Sequence, residues 1–197
     1  MGTEFELKYN ATPAVQSQLL ALAENWQTIA METTYYDTPS GAFSARKYTL
    51  RTRLENGTSI CTIKTPAAHG ARGEWEFPCD DIMAAIPMLC KLGAPAELAD
   101  WVKEGLQCVC GARFTRQAAT VQQGDTLLEL ALDHGILFSK NRQQPLCEIE
   151  VELKSGSPTD AQIYAAMLAE RYSLTAQPYS KFCRALALNK EATHGTA

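Results

Sequence analysis

Carboxylates recur two residues apart at three places in this chain: Glu4 and Glu6, Glu74 and Glu76, and the run Glu148, Glu150 and Glu152. Cations use the same spacing. Arg51 and Arg53 form a pair, Lys8 follows Glu6, and Arg72 precedes Glu74. A spacing of two puts side chains on one face of an extended strand. Carboxylate oxygens on such a face suit hard divalent cations, and guanidinium and ammonium groups suit phosphate oxygens. The chemistry these residues offer is the handling of a polyanion together with metal ions.

Strands must position these groups, and the residues between them have the matching pattern. Phe5, Leu7 and Tyr9 alternate with the first acidic set, and Leu50 and Leu54 lie opposite Arg51 and Arg53. Cys61 and Ile63 oppose Thr62 and Lys64, while Trp75 and Phe77 oppose Arg72, Glu74 and Glu76. Leu128, Leu130 and Leu132 oppose Glu129 and Asp133, and Cys147, Ile149, Val151 and Leu153 oppose the last glutamates. Arg116 sits on a further strand.

A flat sheet with one wet face would explain any one of these strands. That arrangement predicts Ser, Thr, Lys and Gln on the wet side. Three glutamates in a row repel one another unless cations sit among them, and edge protection favours Lys instead. The alternative is a closed barrel with charges inward and apolar faces outward under helices. Its expected lining is Glu4, Glu6, Glu74, Glu76, Glu129, Asp133, Glu148, Glu150 and Glu152 against Lys8, Arg51, Arg53, Lys64, Arg72 and Arg116. Such an interior is tenable when it holds water, hard cations and a polyanion.

The order of elements is α+β. Thr12 and Pro13 cap and open a helix that runs to about residue 26. Strands follow over 29–36, 48–54, 58–65 and 72–77, with Asn56-Gly57 as a hairpin turn. The stretch 80–106 is helical but broken by Pro87, Gly93 and Pro95. Strands resume at 112–121, 126–133, 136–139 and 146–153, with turns at 123–125 and at His134-Gly135. Ser157-Pro158 opens a helix to Tyr172, and Ser180 starts a short last one. With no repeat or linker, the expectation is one domain over 1–190 and a frayed tail over 191–197.

Bulk composition narrows the classes. The 197 residues are 46% hydrophobic and 20% charged with net charge −4, which argues against a broad basic nucleic-acid surface. No apolar run approaches the ~20 residues that span a bilayer, and no signal peptide is visible. The seven cysteines are scattered, without C-x-x-C or zinc spacing, so a reducing cytoplasm is expected. P-loop, G-x-G-x-x-G, G-x-S-x-G and H-E-x-x-H patterns are all missing.

Taken in order, these motifs resemble the CYTH family, the triphosphate tunnel metalloenzymes. The resemblance rests on E-x-E-x-K (Glu4, Glu6, Lys8), Tyr35-Tyr36-Asp37-Thr38, Arg51-x-Arg53, Thr62-x-Lys64 and Arg72-x-Glu74-x-Glu76. It continues through Phe114-x-Arg116, Glu129 with Asp133, Glu148-x-Glu150-x-Glu152, and Lys181. It implies a closed eight-stranded antiparallel β-barrel, a triphosphate tunnel with helices packed outside.

Among its subfamilies the chain is most similar to bacterial inorganic triphosphatases, which cleave tripolyphosphate to pyrophosphate and phosphate. Lys8, Arg51, Arg53, Lys64, Arg72, Arg116 and Lys181 would then bind the phosphates. Glu4, Glu6, Glu148 and Glu150 would hold Mg²⁺ or Mn²⁺, with Asp133 and Glu152 as helpers. One ion would neutralise developing charge and a second would activate water, with Lys8, Glu4 and Glu6 nearest the chemistry. Glu74 and Glu76 would hold cations in place. The implied partner is a small-molecule triphosphate, with no nucleic acid or membrane; a homodimer is left open.

Rival functions within the fold are adenylate cyclase and thiamine or nucleoside triphosphatase; outside it, a non-catalytic polyphosphate sensor. Many bacterial relatives continue into a histidine-rich helical CHAD domain. This chain stops near residue 197, so it is read as a stand-alone version or a piece of a longer one. The remaining candidates have plain readings. His69, His134 and His194 are expected to be exposed and inert, and Tyr35 and Tyr36 to be packing residues. Asp37 is expected to cap a turn, and Trp26, Trp75 and Trp101 to pack under helices.

Overall fold

The computed structural model describes residues 2–66 and 72–189, apart from the side chains of residues 2–4 and Arg72. The tail over 191–197, His69 and His194 lie outside the described residues. Ten strands form one antiparallel sheet: β1 (Gly2–Glu4), β2 (Glu6–Asn10), β3 (Gln27–Asp37), β4 (Thr49–Glu55), β5 (Thr58–Pro66), β6 (Arg72–Pro78), β7 (Gln107–Gln123), β8 (Thr126–Ser139), β9 (Arg142–Ser155) and β10 (Thr175–Ala176). Among the described residues, six α-helices accompany them: α1 (Pro13–Leu19), α2 (Ala42–Ala45), α3 (Ile82–Lys91), α4 (Leu98–Trp101), α5 (Pro158–Tyr172) and α6 (Lys181–Ala187). None of the described helices is long and apolar enough to cross a membrane.

The hydrogen-bonded order is β1-β6-β5-β4-β3-β7-β8-β9-β2-β10, and it corrects the expected closed eight-stranded barrel: the ladder is open. The reason lies in the N-terminal segment. Its first residues pair with β6, Glu4 facing Arg72, while Glu6 to Asn10 pair with β9. The other edge of β2 is taken by β10, through Thr175 with Asn10 and Ala176 with Tyr9, and the Gln177 amide donates to the Lys8 carbonyl. That edge is therefore not available to β6. Since Phe5 alone separates β1 from β2, the sheet still curls until its charged faces look at one another across a cavity.

Local chemistry explains most boundaries. Thr12 accepts from the Val15 amide and Pro13 opens α1, Ser157 caps α5, and Ser180 accepts from the Cys183 amide to cap α6. Asn56 and Gly57 both take positive φ (47° and 90°), as a two-residue hairpin turn with the sheet's twist requires. Asp37 caps the turn after β3, accepting from the amides of Thr38, Phe43 and Ser44.

The expected turn at His134-Gly135 does not form. Strand β8 runs straight through it, with Gly135 opposite Phe114 on one side and Leu146 on the other. A Cβ at Gly135 would collide with the Arg113 carbonyl and the Phe114 backbone. The glycine permits close approach between strands, not reversal.

Two apolar clusters cover the convex side. Phe43, Leu50, Ile63, Trp75, Leu89 and Leu98 pack beneath α3 and α4, and Leu19, Leu128, Leu130, Ile149, Val151 and Leu168 beneath α1 and α5. A third cluster lies on the charged side. Phe114 is in phase with Arg116, Leu137 with Asp133, and Leu146 with Glu148, and all three pack with Phe182 and Ala185 of α6. The expectation that helices pack outside the sheet therefore fails for α6, which sits against the concave face.

Candidate active site

The concave face encloses a cavity of about 310 Å³. One wall comes from β4, β5 and β6. Arg51 and Arg53 share a face of β4, Lys64 lies beside them on β5, and Glu74 and Glu76 on β6 answer them across the ladder. Glu74 stands 3.6 Å from the Arg51 guanidinium and 3.2 Å from the Lys64 ammonium. Glu76 is 3.5 Å from Arg53 and accepts a hydrogen bond from the Thr62 hydroxyl at 3.1 Å. Glu55 also pairs with Arg53. Burial, and then the neighbouring Arg51 charge, push the Arg53 guanidinium below its ordinary value. An arriving anion would relieve that stress.

The opposite wall comes from β2 and β9, where Glu6 faces Glu152, Lys8 faces Glu150 and Asn10 faces Glu148. The Lys8 ammonium donates to Glu6 at 2.7 Å. Lys154 reaches Glu152 at 2.9 Å and Glu129 at 3.4 Å.

Between the walls, under α6, lies a buried ionic cluster. Arg116 of β7 grips Asp133 of β8 through two hydrogen bonds of 2.8 Å and also reaches Glu150. The Lys181 ammonium sits 2.7 Å from Asp133 and 2.8 Å from Glu150 and also meets Glu148, while Arg184 bonds to the other Glu148 oxygen. Asp133 and Glu148 are fully buried. Three carboxylates thus face three cations, which is what makes burying so much charge tenable. Burial works to raise the Glu150 carboxyl, but the Lys181 and Arg116 charges overcome it and hold it well below the ordinary value. Glu148 is lifted above its ordinary value by burial.

The carboxylates of Asp133, Glu148 and Glu150 lie within 4.8 Å of one another, an all-oxygen set that could hold a divalent ion. The Lys181 ammonium occupies the space between them, so an ion there requires it to move aside. Glu6, Glu150 and Glu152 line the cavity directly.

Every candidate with a described side chain therefore falls on the concave face: Lys8, Glu6, Arg51, Arg53, Lys64, Arg116, Asp133, Glu148, Glu150, Glu152 and Lys181. The side chains of Glu4 and Arg72 lie outside the described residues; their backbones pair with each other. Three participants go unforeseen by the sequence reading. Glu55 and Lys154 continue the two-residue spacings of 51–53 and 148–152, one step past where the strands were ended. Arg184 is one helical turn from Lys181, a spacing that puts both on one side.

Known proteins share this architecture. The PH1819 protein of Pyrococcus horikoshii OT3 superposes with a TM-score of 0.64 at 22% identity, over 95% of this chain and 99% of its own. An adenylyl cyclase candidate from Hippeastrum, described with a dominant triphosphatase activity, superposes with a TM-score of 0.62 at 15% identity, covering 93% and 94%. The inorganic triphosphatase of Haemophilus influenzae is 28% identical over 168 residues, which is 81% of this chain and 47% of that protein. The chain thus spans about half the length of this curated relative. The CYTH domain matches residues 2–185, nearly the whole sequence, and the chain belongs to that family.

Proposed function

We propose that this chain hydrolyses inorganic triphosphate to pyrophosphate and phosphate, with divalent metal, on the concave face of the sheet. The observation that carries this reading is a small cavity in which Arg51, Arg53 and Lys64, already matched by Glu55, Glu74 and Glu76, look across at a further carboxylate set, Glu6, Glu150 and Glu152. A simple anion binder needs no such further set.

Arg51, Arg53 and Lys64, with Arg72, are the proposed grip on the phosphate oxygens, and Arg116 and Lys181 face the substrate from the base of the cavity. Glu74 and Glu76 keep the basic groups extended toward it. Glu6, Glu150 and Glu152, with Glu4, are the proposed ligands of Mg²⁺ or Mn²⁺. Asp133 and Glu148 join them only if Lys181 gives way. When bound, such ions neutralise charge on the transferred phosphoryl group and make water a better nucleophile. Lys8 lies on the carboxylate wall and would orient that water.

At about 310 Å³ the cavity is at the low end for small-molecule sites, which favours an inorganic chain over a whole nucleotide. The resemblance to an inorganic triphosphatase points the same way. Seven free thiols suit a reducing compartment such as the cytoplasm.

The test is phosphate release with Mg²⁺ and then Mn²⁺, comparing tripolyphosphate, ATP, thiamine triphosphate and pyrophosphate. Rapid turnover confined to tripolyphosphate is the expected result. Preference for ATP or thiamine triphosphate would refute the inorganic substrate, and triphosphate binding without turnover would make the protein a sensor.

A further inference from the structure

The cavity side of β9 does not end with its glutamates. Lys154 continues their two-residue spacing and lines the cavity, with its ammonium 2.9 Å from Glu152 and 3.4 Å from Glu129. Lys181 and Lys154 both sit among carboxylates here, under opposite conditions. The Lys181 side chain is 10% exposed and Lys154 is 38% exposed. Moving the Lys181 ammonium away would leave buried carboxylates short of a partner, which is costly. Moving the Lys154 ammonium gives up a half-exposed pair, which costs little. Its flexible four-carbon stem and compact charge suit a group that changes partners.

We propose that Lys154 is a further phosphate-binding residue, held between Glu129 and Glu152 until a triphosphate and its divalent cation enter. The inference rests on the reading that this cavity binds triphosphate with metal. A divalent ion held by Glu152 would share that carboxylate with the Lys154 ammonium, and like charges so close would repel. With such an ion held there, the Lys154 ammonium would give up Glu152 and meet phosphate oxygens, which are strong acceptors. Lys154 therefore acts with two signs: it opposes metal alone and favours triphosphate once metal is present. A lysine that only tethers β8 to β9 would do neither.

The experiment is calorimetric titration of wild type, Lys154→Met and Lys154→Arg, first with Mn²⁺ alone and then with tripolyphosphate in saturating Mn²⁺. The Met variant is expected to bind Mn²⁺ several-fold more tightly and tripolyphosphate about tenfold more weakly, the size of one lost charge-assisted hydrogen bond. The Arg variant should restore both values toward wild type. Mn²⁺ affinity that is unchanged or reduced in Lys154→Met, or unchanged tripolyphosphate affinity, overturns the proposal. Since both readouts are binding, they decide the role of Lys154 even if no triphosphate is hydrolysed, which would overturn the functional reading alone. Failure of wild type to bind tripolyphosphate would overturn both.

Discussion

Arg113 and Arg116 lie three residues apart on β7 and make the same kind of contact in opposite surroundings. Each points its guanidinium at a carboxylate on the next strand: Arg113 at Glu32 of β3, with its closer nitrogen at 3.0 Å, and Arg116 at Asp133 of β8, twice at 2.8 Å. The odd spacing puts them on opposite faces. Arg113 stands in water on the convex side, whereas Arg116 is enclosed with Asp133 and Glu150 under α6. In water the charges are already solvated and the pair adds little. In the enclosed cluster each charge has lost most of its water, so each depends on the others. Face, not residue type, decides what an arginine does in this protein.

Removing one of each tests the contrast most directly. Arg116→Met leaves Asp133 and Glu150 one partner short in a largely buried site and is expected to cost about 3–5 kcal/mol in urea denaturation. Arg113→Ala should leave the midpoint unchanged. Equal effects of the two would mean that the cluster under α6 is wetter than its burial indicates.

Arg53 is an intermediate case: largely enclosed, yet facing the cavity. Its guanidinium is disfavoured by burial and by Arg51, so the fold gains little from it. Arg53→Met is expected to stay within about 1 kcal/mol of wild-type stability. Its kcat/KM for tripolyphosphate should fall by about 100-fold, as when one charge-stabilising donor is lost. A variant that loses several kcal/mol of stability but keeps its kcat/KM while folded would assign Arg53 to structure instead of substrate.

The faces were legible in the sequence because a period of two is local: it needs only the identity of neighbours. That is why the concave-face residues from Glu6 to Glu152 could be named before any fold was known. The open ladder was not legible, since it depends on Thr175 and Ala176 pairing with Asn10 and Tyr9 across most of the chain. The place of α6 was hidden for another reason. A short helix with Phe182 and Ala185 on one side has the same pattern whether it packs on a convex or a concave face. Gly135 misled because the absence of a side chain serves both turning and close approach. Glu55 and Lys154 were missed because strand ends are set by pairing partners, not by the strand's own residues.

The smallest expected effect is on pH. Glu150 is held well below its ordinary value of 4.5, so the stability it contributes is complete above that value and is lost as pH falls below it. Lys181 is raised above its ordinary 10.5, so its contribution persists through neutral pH and is lost only in strong alkali. Glu148 acts in the opposite sense to Glu150: lifted by burial, it gains stability as it takes up a proton on acidification. The Glu148 gain accrues above about pH 4.5 and is complete below it. The thermal midpoint should therefore be flat from about pH 7 to 9, hold or rise slightly on acidification toward about pH 4.5, and decline below that as Glu150 is protonated. Arg116→Met, which removes one of the three charges that depress Glu150 (Lys181, Arg116 and Lys8), should flatten that acid limb. An acid limb equally steep in the variant would mean that Lys181 and Lys8 set the charge of Glu150, and that Arg116 serves Asp133.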